Sequence, residues 1–303
     1  MRWSTLASTS STSASSAPRA RRAPRVSNNF IARSRARSSA GLASSTSTTT
    51  RAFAFPFDDF ALAAFDDVPR DVAAAALTSL GAYAWVKAFD VLAERGTFAS
   101  VTSRKLVHVT SGTLFACTWP LFSSSPSARW FAAAIPIAQG LRLFGIGSGL
   151  IQNASAVRAV SREGGREELL KGPLYYTACL ATCCATYWRA SPIGIVAVAM
   201  MCGGDGFADI IGRRFGKGNA LPWNAEKSFA GSAGFLCGGF GAASALLAYF
   251  HLFGFIDVSA STYAATLVIA TACAIVESLP ITSVVDDNFS VTACAIACGA
   301  LLY

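Results

Sequence analysis

Apolar stretches recur along the chain at 71–93, 105–122, 128–145, 173–190, 192–207, 229–253, 260–277 and 288–303. None carries a clean charged face, as the surface helix of a water-soluble protein would. Several fall short of the roughly 20 residues that cross a bilayer. The pattern therefore predicts an all-α, multi-pass transmembrane helix bundle of seven or eight spans. Gly231, Gly234, Gly238, Gly239 and Gly241 lie within one stretch. Small residues let helix backbones approach closely in lipid, where van der Waals packing must hold helices together.

Composition agrees. The chain of 303 residues is 53% hydrophobic and 14% charged, with a mean hydropathy of +0.45. A soluble domain is charged at about one residue in four. The same hydrophobicity excludes intrinsic disorder for the bulk of the chain.

The net charge of +8 is unevenly placed. Residues 1–57 hold nine Arg and no acidic residue, which leaves 58–303 at −1. A nucleic-acid groove needs positive charge on the folded body, and that is missing. Residues 1–50 contain 14 Ser and 7 Thr. A Ser- and Arg-rich, acid-poor leader without a continuous apolar stretch fits an organelle transit peptide. Hydroxyl-rich composition without amphipathic periodicity favours the chloroplast, with processing near Arg51. The expected organisation is a disordered leader over 1–57 and a membrane domain over 58–303.

With eight spans, one side of the membrane receives Arg95, Arg104, Lys105, Arg158, Arg162, Arg166, Lys171, Arg213, Arg214, Lys217 and Lys227. The other receives Arg70, Arg129 and Arg189. The positive-inside rule places the crowded side where insertion begins, the stroma in a chloroplast. The polar motifs lie on that side too. A transporter would place ionisable groups near the midplane. Their position at one rim points instead to an enzyme using a soluble co-substrate.

The densest motif is Gly203-Gly204-Asp205-Gly206-Phe207-Ala208-Asp209, followed by Gly212-Arg213-Arg214-Phe215-Gly216. Asp205 and Asp209 share a helix face. Two carboxylates at the end of a membrane helix call for a cation, and Mg²⁺ bound through one or two carboxylates and substrate phosphates suits them. Gly204 and Gly206 would leave backbone open to a ligand. Arg213 and Arg214 would clamp phosphate oxygens. A structural Asp–Arg bridge is the competing reading. Lys227-Ser228 stands before the Gly-rich stretch, where a helix N-terminus suits phosphate; snorkelling of Lys227 with Ser228 as a cap competes. The stretch lacks the Gly-x-x-x-x-Gly-Lys of a P-loop.

Glu277 closes one apolar stretch, and Asp286-Asp287-Asn288 opens the next. These carboxylates offer a second set of metal ligands, against routine helix capping. Lys105 and His108 lie three apart on one face, where His108 either contacts phosphate, moves a proton or sits satisfied in a core. His251 falls at the opposite side. The Arg166–Tyr176 segment reads by charge as a solvated loop. The nine Cys read as small apolar-span thiols. Gly145-Ile146-Gly147-Ser148-Gly149 lacks dinucleotide-site spacing.

Taken together, Arg104-Lys105-Leu106-Val107-His108, Arg166 through Tyr176, Gly204-Asp205-Gly206 with Ala208-Asp209 and Gly212–Gly216, Lys227-Ser228 with Ala230-Gly231-Ser232, and Glu277-x-x-Pro280 with Asp286-Asp287-Asn288 resemble the polyprenol kinase family. The resemblance covers residues 71–303 and is closest to its plastid phytol and farnesol kinase branch. It implies a plastid membrane enzyme that phosphorylates a free isoprenoid alcohol, with CTP as donor and a divalent metal, in phytol salvage towards tocopherol. On this reading Asp205 and Asp209, with Asp286 or Asp287, hold the metal–nucleotide. Lys105, Gly204, Gly206, Arg213, Arg214, Lys227 and Ser228 face its phosphates, and either His108 or Glu277 accepts the alcohol proton. A farnesol or geranylgeraniol kinase, a nucleotidyltransferase forming a CDP-lipid and a transporter are the alternatives.

Overall fold

Every apolar stretch forms helix in the computed structural model, which describes residues 67–95, 100–154, 156–157, 161, 164–280 and 285–303. The expected leader over 1–57 lies outside these residues, as do Arg158 and Arg162. The helices are α1 (Val68–Glu94), α2 (Ser100–Cys117), α3 (Ala128–Gly147), α4 (Gly172–Tyr187), α5 (Pro192–Ala199), α6 (Asp205–Phe215), α7 (Phe229–Leu252), α8 (Ala260–Ser278) and α9 (Asp287–Leu302). Five helical runs are long and apolar enough to cross a membrane: Val68–Phe89, Ala128–Gly147, Pro192–Phe215, Phe229–Leu252 and Ala260–Ser278. The multi-pass all-α bundle expected from the apolar pattern is the fold.

Polar caps set several boundaries. Ser191 accepts from the Ile193 amide and Ser228 from the Gly231 amide, opening α5 and α7. Asp286 accepts from the Asn288 amide at the start of α9. Each cap satisfies a backbone donor that the helix leaves orphaned.

Two features depart from the expected outline. The apolar pattern ends a helix near 207 and leaves 208–228 as a loop. Instead α5 runs into α6 through a buried π-helical turn at Met200–Gly204, so helix continues to Phe215. The Asp209–Arg213 pair, one turn apart, supports the extension. The remainder is not all coil. An antiparallel hairpin forms from β1 (Ala220–Leu221) and β2 (Asn224–Ser228), with Ala220 opposite Ser228 and Leu221 opposite Asn224.

The α5–α6 run packs along α7 through glycines. A Cβ on Gly204 would meet the Phe235 ring at 2.6 Å, and one on Gly238 would meet the Phe207 side chain at 2.5 Å. Neither position has room for a methyl group without a shift of the neighbouring ring or helix. Gly241 faces open space and takes no part. Buried Met200, Met201, Phe235, Leu247 and Phe250 contribute to the central core.

The two ends of the bundle differ in charge. At one end, buried Arg189 donates to the Trp119, Phe122 and Ser123 carbonyls, and Asp71 accepts from the Ser123 amide at 2.7 Å. These groups fix the α2–α3 connection. His251, in the last turn of α7, bonds the Ile256 backbone and is remote from Ser228 at the other end of that helix.

Candidate active site

The π turn determines what Asp205 faces. A π turn accommodates an extra residue in the helical register, and such turns frequently occur at functional sites. Asp205 follows it directly, ten residues before the end of the run at Phe215. At 1.5 Å per residue it lies about 15 Å below that end. The carboxylate is thus set within the helical run rather than in its last turn, as the loop assignment implied.

Helix α2 supplies the facing side chains. Lys105 Nζ donates to Asp205 Oδ2 at 3.0 Å, and His108 Nε2 lies 3.5 Å from the same oxygen. Lys105 and Asp205 are each 13% exposed at the side chain. The helices can approach this closely because Gly206 leaves room for Val109; a Cβ there would stand 1.9 Å from Val109 Cγ2. Gly204 and Gly206 are both buried packing contacts. The open backbone expected at these glycines is absent from this arrangement, because Phe235 and Val109 fill the space.

The hairpin brings in Lys227. Trp223 Nε1 donates to Ser278 Oγ at 3.3 Å, and Asn224 Nδ2 donates to the Ser278 carbonyl at 3.2 Å. Both bonds tie the hairpin beside Glu277 at the end of α8. Lys227 Nζ then donates to Glu277 Oε1 and, at 3.2 Å, to Asp287 Oδ2. Burial alone would push the Lys227 ammonium down, but Glu277 and Asp287 outweigh it and hold it above its ordinary value. Lys227 and Asp287 both lie within electrostatic reach of Asp205.

Asp287, at the first position of α9 and outside the apolar stretch 288–303, shows the strain of this arrangement. Burial lifts its carboxyl to about 6, Lys227 opposes the rise, and Asp205 and Glu277 add to it. Its Oδ1 is buried without a hydrogen-bond partner, as is Asn288 Oδ1. The Asn288 amide donates to the Gly172 carbonyl and to Asp286 Oδ1, joining α9 to the start of α4. Four carboxylates (Asp205, Glu277, Asp286 and Asp287) therefore gather about two ammonium groups, Lys105 and Lys227.

The other expected site residues stand apart. Arg213 Nε contacts both Asp209 oxygens at 2.9 Å, and Arg213 and Arg214 are exposed near the end of α6. The Ser228 hydroxyl caps α7, and Gly216 leaves room for it, since a Cβ there would stand 2.5 Å from Ser228 Oγ. Tyr176 of α4 lies in the apolar stretch 173–190 and was given no role by the sequence. Its ring lies 4.2 Å, centroid to centroid, from the His108 imidazole. An aromatic in an apolar stretch gives no sequence signal that separates such a contact from ordinary core packing.

Among the described residues, no group of three or more His, Cys, Asp or Glu side chains is placed to hold a metal ion on its own. Mg²⁺ seldom uses such a cage; it binds one or two carboxylates and completes its shell with phosphates and water. The excess negative charge and the unpartnered Asp287 oxygen fit a cation arriving with a nucleotide. Asp209 fits less well, since Arg213 already covers both its oxygens.

Comparison with known proteins places these residues in context. The chain is 48% identical over 235 residues to the "Probable phytol kinase, chloroplastic" of Triticum aestivum, covering 77% of this chain and 78% of that one. It is 43% identical over 235 residues to "Phytol kinase 1, chloroplastic" of Arabidopsis thaliana, with 77% of each chain covered. It is 41% identical over 238 residues to "Farnesol kinase, chloroplastic" of the same plant, covering 78% of this chain and 77% of that one. No family model matches, and no solved structure matches.

Proposed function

Since the chain belongs to the plastid phytol kinase and farnesol kinase branch of the polyprenol kinases, we propose that it phosphorylates phytol to phytyl phosphate with CTP in a chloroplast membrane, in phytol salvage towards tocopherol. The observation that carries the reading is the pairing of Lys105 and His108 with Asp205 and of Lys227 with Glu277 and Asp287, to which five separate elements contribute; the recess for the phosphates is proposed between these two groups.

Phosphoryl transfer asks a protein mainly for positioning and charge neutralisation. Lys105 and Lys227 would face the triphosphate from two sides of the recess. Arg213 and Arg214, exposed beyond it, would engage the phosphates on entry. His108 is the better proton acceptor of the two candidates. Its Nε2 is buried with no hydrogen-bond partner, whereas Glu277 is committed to Lys227. In this scheme His108 Nε2 takes the alcohol proton as the hydroxyl oxygen attacks the γ-phosphorus, the bond from that phosphorus to the β,γ-bridging oxygen breaks and CDP leaves, and Asp205 stabilises the imidazolium that forms. Asp205 and Asp287, with Asp286 beside them, would hold a divalent metal, which would supply positive charge to offset the negative charge that develops on the phosphates. The acceptor's hydrocarbon chain would lie between helices or in lipid, where each buried CH₂ contributes roughly 0.8 kcal/mol.

The test is transfer by the purified full-length protein across phytol, farnesol and geranylgeraniol, each with CTP, UTP and ATP. CTP labelled at both α- and γ-phosphates should pass only the γ label to the lipid. Transfer of the α label would identify a CDP-lipid synthase instead, and no transfer to any alcohol would refute the kinase reading.

A further inference from the structure

Tyr176 makes four contacts, all around the proposed base. Its hydroxyl donates to the His108 carbonyl at 3.0 Å, lies 3.1 Å from Ser111 Oγ and lies 3.5 Å from Cys202 Sγ. Its ring lies against the His108 imidazole at an interplanar angle of 40°. The residue is buried, at 8% exposure. One side chain from α4 thereby touches α2 and the π turn at once.

Space has been cleared for this arrangement. A Cβ on Gly112 would stand 2.4 Å from the Tyr176 hydroxyl oxygen and 2.4 Å from Cys202 Sγ. Any larger residue at 112 would drive Tyr176 out of its seat or push α2 off the π turn. Packing on one face restricts the ring, while Nε2 has no hydrogen-bond partner and lies 3.5 Å from Asp205 Oδ2.

We infer that Tyr176 is a positioning residue for His108: its ring sets the plane of the imidazole, and its hydroxyl sets the helix that carries it. The inference rests on the reading of His108 as the base. A base must lie within hydrogen-bond reach of the proton it removes, and a misplacement of about 1 Å is enough to cost about 10²-fold. Tyr176 itself touches no reacting atom in this scheme.

The test is a mutant cycle with the full-length protein in lipid nanodiscs, scoring kcat and KM separately. Tyr176→Phe keeps the ring and removes the hydroxyl. It should lower kcat about tenfold with KM for the nucleotide changed by less than about twofold. His108→Ala should lower kcat by about 10²-fold or more. The double variant should match His108→Ala alone, since a residue acting through another adds nothing once that residue is gone. Additive losses, or a Tyr176→Phe variant with the wild-type kcat, overturn the inference. A His108→Ala variant with the wild-type kcat overturns the base reading instead.

A second measurement does not depend on turnover. His108 and His251 are the two histidines of the chain, so selective histidine labelling gives two sets of ring signals by nuclear magnetic resonance. Tyr176→Leu should move the His108 signals, by loss of the aromatic ring current, and leave those of His251 in place. Unmoved His108 signals overturn the contact on which the inference stands.

Discussion

Lys105 and Asp205, 100 residues apart in the chain, form an ion pair of 3.0 Å in which each side chain is 13% exposed. Breaking one side of a buried pair leaves the other charge uncompensated, at a cost of about 3–5 kcal/mol. Asp205→Asn should therefore lose both thermal stability and nearly all turnover while the protein still inserts in the membrane. Adding Lys105→Met should recover stability without activity. Unfolding curves and kinase assays on the single and double variants separate the two effects, and near-normal turnover in Asp205→Asn would refute its proposed role.

Gly206 and Val109 offer a test of packing against ligand contact. Gly206→Ala places a methyl 1.9 Å from Val109 Cγ2, an overpacking that costs about 1–3 kcal/mol. It should also separate Lys105 from Asp205 and depress activity. Val109→Ala in the same chain makes room for the new methyl, so stability and turnover should return together. Rescue of stability alone would mean that the Gly206 backbone contacts a phosphate.

Asp287 predicts a pH dependence of stability. Its carboxyl, lifted to about 6 chiefly by burial, favours the fold while protonated. That contribution is complete below the ordinary carboxylate value and is lost as pH rises through about 6. Asparagine imitates the protonated form. Asp287→Asn should thus raise the melting temperature of nucleotide-free protein at pH 8, by about 3 °C or more, and change it little at pH 4. Equal shifts at both pH values would contradict the assignment.

Asp209 should behave unlike Asp205. Its partner Arg213 is 59% exposed at the side chain, and exposed pairs contribute about 0–1 kcal/mol. Asp209→Asn is expected to leave the melting temperature nearly unchanged and to lower kcat by no more than about tenfold, two orders of magnitude less than loss of a positioned acid–base or metal group. A loss as deep as that of Asp205→Asn would return Asp209 to the metal.

The bundle was legible because apolar stretches, spaced by short polar connections, have few structural solutions in lipid. Five polar motifs could be grouped from connectivity alone; in the structure Lys105 and His108 meet Asp205, and Lys227 meets Glu277 and Asp287. What sequence could not convey was register. The residues 192–207 read as one apolar run, and nothing in Met200-Met201-Cys202 announces a wider turn. The hairpin was hidden because Lys227 sits on a strand of five residues, stabilised by Trp223 and Asn224 bonding a helix end 54 and 55 residues away. Glycines carried a double meaning. Those at 204 and 206 looked like room for a ligand and proved to be room for Phe235 and Val109.

The π turn at Met200–Gly204 also bears on the length of this helical run. Such a turn takes up one residue more than a regular helix, so its loss would leave the faces of α5 and α6 in line and remove only the widened backbone beside Asp205.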